Sequence, residues 1–384
     1  MAATTVAVPA CSNDVSGTGG GGGGDDQGSG SGSGSGTDDQ WQQILNSRTR
    51  DYPAALRIAA IRLTGTLPTS AEINSVASAT GDAQKTAYEA LINQYVARPT
   101  FARQMMIYWR NTMKIGGSAD FDTAPAFAAE LTFNNGSYLD MFTKASGNCP
   151  TYDDGTMAFA DAECMNGGPK AGVLTNPGVM SSFYSNFAFR RVRWVQEVFD
   201  CLRFPAEVSA TPQDVGGGSP YTGVWPFNSI SGTATGGRVN FEDVTAQVCA
   251  NCHTTLNHIA PLFAQYDDQG QYQSMIVVPT PLDGSPVAML SDYLPATETT
   301  AWRYQEPAAD LPTLGTKIAA DTSVQACGVA RMWNFALGVT DIVDTLQDVP
   351  LTTIQSQVSA FQTNGFKMRD MVVSVFTSDD FTQF

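Results

Sequence analysis

Cys249-Ala250-Asn251-Cys252-His253 is the stretch whose residue types and spacing can do chemistry. Two thiols three positions apart share one face of a helix, and there they can add to the two vinyl groups of a haem. The histidine that follows projects over the porphyrin plane, where neutral imidazole is a good iron ligand. The string predicts one covalent haem c, attached at Cys249 and Cys252 with His253 as an axial ligand. With 7 Cys and 2 His in 384 residues, chance would give such a string about 0.0007 times. A thioredoxin-like dithiol needs a strand-to-helix junction in a βαβ setting, and the surrounding pattern does not offer one. A zinc site needs two more ligands, and only His258 and distant cysteines are on offer.

The other side of the iron is harder to assign. His258 follows His253 by five positions, a turn of about 140° around a helix, so it cannot reach the opposite face of the same iron. It reads as a structural histidine, or as a ligand to the haem of a neighbouring chain. Met289, in the proline-flanked segment SPVAMLSDYLP, is the expected distal ligand. Met275 and Met332 are the alternatives, Met332 with a packing role beside Trp333. Methionine ligation would raise the reduction potential; an open site would admit small ligands instead.

Cys149, Cys164, Cys201 and Cys327 remain once Cys11 and the haem cysteines are set aside. An even number in an exported chain suggests disulfides, and four cysteines allow three pairings. Cys149–Cys164 with Cys201–Cys327 is favoured. The first bond closes a short irregular segment, and the second staples the helix before the haem region to a late helix. Four free buried thiols would suit a cytosolic protein, but haem c is attached outside the cytoplasm.

The elements that must position these groups read as helices. Apolar spacing predicts helices over 53–63, 83–96, 99–115, 189–202, 313–320, 322–337, 351–363 and 367–376, with shorter ones at 124–133 and 136–145. Thr69-x-x-Glu72 is a capping box that opens another. The haem motif falls in a helix over 241–265. Residues 148–172 and 209–237 read as loops, and 272–279 as short extended pieces. No alternating pattern builds a sheet, so the fold class is all-α.

The first forty residues differ. Val8-Pro9-Ala10-Cys11 looks like a lipobox, in which Cys11 becomes the lipidated first residue, although the basic start and long apolar core of a full signal are missing. Residues 1–11 read as a truncated lipoprotein signal. The Gly/Ser/Asp-rich stretch over 12–40 reads as a disordered tether or an artificial linker. An N-terminal helical domain over 41–172 and a mono-haem cytochrome c-like domain with long irregular loops over 173–384 complete the expected organisation. Net charge is −16. That excludes the basic footprint of a nucleic-acid binder and fits a soluble exported protein, or one that steers a basic redox partner.

Four blocks of the chain resemble a family of exported helical proteins of unknown function, common in planctomycetes and myxobacteria, that carry a C-terminal c-type cytochrome domain. They are RLTGTLPTSAEI with AYEALINQYVARPTFARQMMIYW, then Gly172 to Pro205, then CANCHTTLNHIAPLFAQYDDQGQY, then ACGVARMWNFALG. At Asn257-His258 the chain departs from that family's usual Asp-Pro. The resemblance implies an exported, often lipid-anchored, helical cytochrome; it implies no reaction.

Three functions follow as expectations. The first is an envelope-located electron carrier, periplasmic or at the cell surface, not an enzyme and held to the membrane only by a lipid. The second is a haem enzyme or small-ligand sensor with an open distal site. The third is an assembly component of a surface electron-transfer complex or homo-oligomer.

Overall fold

Helix boundaries follow from local chemistry. We describe a computed structural model. It covers residues 43, 46–202, 247–282, 284–294, 296–303, 306–339 and 349–384, with backbone alone for 247–252 and 254. Cys11, the 12–40 stretch, the 209–237 loop and residues 241–246 of the expected haem helix lie outside the described residues.

Helix α1 (Tyr52–Thr64) starts where the Asp51 side chain accepts from Ala54 N, with Pro53 in the first turn. It stops at Gly65, which takes the left-handed conformation that glycine adopts at little cost (φ 75°). Helix α2 (Ser70–Ala77) opens on the capping box read from the sequence: Thr69 Oγ1 accepts from Glu72 N, and the Glu72 carboxylate accepts from Thr69 N. Helices α3 (Asp82–Tyr95) and α4 (Pro99–Met113) follow, α4 with proline at its first position, where the lost N–H is no loss.

Helix α5 (Ala119–Phe133) begins five residues before the expected start at 124. Asp120 and Asp122 favour an earlier first turn, and the helix runs through Pro125. Helix α6 (Asp140–Thr143) is one turn, shorter than the expected 136–145. The reason is tertiary: Tyr138 N donates to Phe366 O and Met368 N to Gly136 O, which holds 136–138 out of a helix.

Helix α7 (Pro177–Ser182) leads through a 3₁₀ turn (Asn186–Ala188) into α8 (Phe189–Phe199). Helix α9 (Gln247–Phe263) carries the Cys-x-x-Cys-His string. After it come α10 (Leu311–Ala320), α11 (Thr322–Leu337), α12 (Leu351–Thr363), α13 (Met368–Phe376) and α14 (Asp379–Thr382).

The described residues are mostly helical, as an all-α reading requires. Two small antiparallel pairs depart from it. Strands β1 (Thr151–Asp153) and β2 (Ala158–Ala160) form a hairpin inside the 148–172 segment, and β3 (Ala301–Trp302) pairs with β4 (Glu306–Pro307). Segments of two or three residues are too short to show an alternating period. The extended reading of 272–279 reduces to isolated bridges, Tyr266 with Tyr272 and Pro279 with Val287.

Residues Asp51–Thr382 form one compact unit, and outside it Arg50 bridges Gln383. Within the larger unit, chain from both sides of residue 172 shares one hydrophobic cluster. The Tyr88 hydroxyl of α3 donates to Phe376 O at the end of α13. Helix α8 joins the two stretches: it packs on α4 and on α9, and Trp194 Nε1 donates to Met113 O. Among the described residues no helix is long and apolar enough to cross a membrane.

Candidate haem-attachment site

Helix α9 brings the backbone of Cys249 and Cys252 and the side chain of His253 onto one element. His253 is buried, 4% exposed. Burial pushes its imidazole down to about 4 against the weaker upward pull of Asn257, so the ring is neutral at physiological pH. A neutral ring is the form that ligates a metal.

The next turn of the same helix fixes the tautomer. Asn257 Nδ2 donates to Tyr293 O at 3.0 Å, which turns Oδ1 toward His253 Nδ1, 2.9 Å away. An amide oxygen only accepts, so Nδ1 carries the proton and the ring's lone pair lies on Nε2. This is the usual outer arrangement of a metal-binding histidine: one nitrogen committed to a protein acceptor, the other turned to the metal.

One aromatic ring, backed by two others, lies against the imidazole. Phe189 meets His253 edge to face, with centroids 5.1 Å apart, and packs on Phe187 and Tyr293. Phe187 and Tyr293 meet edge to face at 5.4 Å. Phe187 and Ala188 both sit at φ 57°, two successive left-handed residues without being glycine. Such backbone costs of order 1 kcal/mol per residue. It turns the chain sharply enough to place Phe187 and Phe189 in the same cluster. The Tyr293 hydroxyl is buried and has no hydrogen-bond partner among the described residues. The tautomer of His253 and the apolar residues beside it are compatible with a haem c held by Cys249, Cys252 and His253.

Compared with family models, with curated proteins and with solved structures, this chain finds no match.

Arg191 braces the far end of α9. It is fully buried, and burial pushes its guanidinium down only to about 10, so it stays cationic. It donates to the carbonyls of Met180, Phe263, Tyr266 and Asp267. Three of these acceptors are at or just beyond the C-terminus of α9, where the helix dipole favours a cation. Arg191→Met keeps the bulk and abandons those carbonyls. It is expected to lower the unfolding free energy by about 3 kcal/mol, read by urea titration. A change below about 0.5 kcal/mol would mean the brace is idle.

His258 is buried, with Nε2 2.8 Å from Glu298 Oε2, which ties α9 to a loop. Met289 is half-exposed, and its N–H donates to Asp292 Oδ2 at 2.8 Å. Met275 is more exposed, whereas Met332 is fully buried in α11. The cysteines pair as favoured: Cys149 Sγ bonds Cys164 Sγ, and Cys201 bonds Cys327.

Sequence reasoning missed Asn257, Tyr293, Phe187, Phe189 and Arg191. Only Asn257 left a usable signal, because residues four apart on a helix are neighbours.

Proposed function

We propose that this chain is a mono-haem c-type cytochrome of the bacterial envelope that passes single electrons between redox partners. The haem would be held covalently by Cys249 and Cys252 and ligated by His253. The observation that carries this reading is the buried, neutral His253, its Nδ1–H committed to Asn257, directly after Cys-x-x-Cys on one helix. Bound haem supplies a one-electron iron couple. The chain's own contribution is to hold the imidazole in one tautomer and one orientation, with Phe189, itself packed on Phe187 and Tyr293, against its face. Two disulfides support an oxidising compartment, which is where haem c is attached. An acidic surface would steer a basic partner. Lipidation at Cys11 and the exported family resemblance are part of this proposal.

One observation favours a second reading, a ligand-binding haem protein. The Met289 loop is anchored through Tyr293 on the Nδ1 side of His253, away from the nitrogen that would face iron. Carbon monoxide separates the two. A six-coordinate carrier, with Met289, Met275 or Met332 on the iron, is expected to show no spectral shift when the reduced protein meets the gas. A rapid shift would reject the carrier and leave the open-site reading.

A further inference from the structure

Asn257 is fully buried, and each end of its amide is engaged. Tyr293 O takes the Nδ2 hydrogen at 3.0 Å, and Oδ1 sits 2.9 Å from His253 Nδ1. The carbonyl of Tyr293 cannot donate, so the amide cannot flip without placing two acceptors face to face. The acceptor offered to His253 is therefore a locked, uncharged oxygen.

The charge of that acceptor matters to a metal. A carboxylate behind an imidazole draws its Nδ1 proton and makes Nε2 more basic, which stabilises the more highly charged oxidised metal. A neutral amide draws it less and leaves the reduced state relatively favoured. We infer that Asn257 is a positioning residue that sets the reduction potential of the His253-ligated haem, through a neutral amide held in place by the Tyr293 carbonyl. This rests on the haem reading above.

The test is an equilibrium redox titration of the full-length, haem-loaded chain at mildly alkaline pH, for wild type, Asn257→Asp and Asn257→Leu. Asn257→Asp is expected to shift the oxidised-to-reduced ratio at least tenfold toward oxidised, about 59 mV lower in potential for one electron. Asn257→Leu, which removes the acceptor, is expected to shift it the other way. Denaturing gels stained for covalent haem and far-ultraviolet dichroism report attachment and folding separately.

A wild-type chain without covalent haem would defeat the haem reading itself. Superimposable titrations from folded, haem-bearing variants would overturn only the role of Asn257. If the variants fail to fold, the wild type still decides. Nitrogen-15 spectra are expected to show a slowly exchanging proton on His253 Nδ1, and a bare Nδ1 would overturn the inference.

Discussion

A Cys249→Ala/Cys252→Ala double variant, exported from a host that attaches haem c, is expected to carry no covalent haem on a denaturing gel. The wild type should stain fully. Each thioether is the product of one thiol, and no other pair of cysteines in the described structure is available, since the other four are tied in disulfides. A single His253→Ala variant should behave differently. Its thiols are intact, so haem can still be attached. The iron then loses the His253 imidazole, and the visible spectrum should change in band position rather than vanish. The pair of variants separates attachment from ligation, which the five-residue string joins. Haem staining of the double-cysteine variant at wild-type strength would mean that attachment lies elsewhere.

Removing the Cys201–Cys327 bond should have the largest effect on stability. The two residues are 126 positions apart, against 15 for Cys149–Cys164. In the chain-entropy account a cross-link stabilises by restricting the unfolded state, and more so for longer loops. The long bond is then worth about 5 kcal/mol and the short one about 3 kcal/mol. The long bond also closes a chain segment that contains α9, and it fastens the end of α8 to α11. Arg331 of α11 reinforces that junction by donating to Val198 O and Glu197 O. Cys201→Ala/Cys327→Ala is expected to lower the urea midpoint more than Cys149→Ala/Cys164→Ala does. The reverse order would mean that native-state contacts, not loop closure, dominate.

Local signals carried much of the helical architecture. The Thr69–Glu72 capping box and the proline at the start of α4 mark chemistry that acts within a turn or two, and each stands where the pattern put it. The favoured cysteine pairing was one of three that counting left open. What stayed illegible depends on distant chain. Residues 136–138 are held out of a helix by Phe366 and Met368, more than two hundred positions away. The aromatic cluster beside His253 draws Phe187 and Phe189 from one side of the chain and Tyr293 from the other. The left-handed pair Phe187-Ala188 has no glycine to announce it. Asn257 lay within reach of the helical neighbour rule, but its orientation depends on the Tyr293 carbonyl, which no spacing reveals.

The five residues from Cys249 to His253 carry the central claim, and haem stoichiometry tests it most directly. The full chain is produced with export and haem attachment, unfolded in alkaline pyridine, and its absorbance spectrum recorded beside its intact mass. The account expects one covalently bound haem per chain, with the band position of a haem whose two vinyl groups are both saturated. A chain that leaves this treatment with no haem, or with haem that extracts into acid solvent, would contradict it.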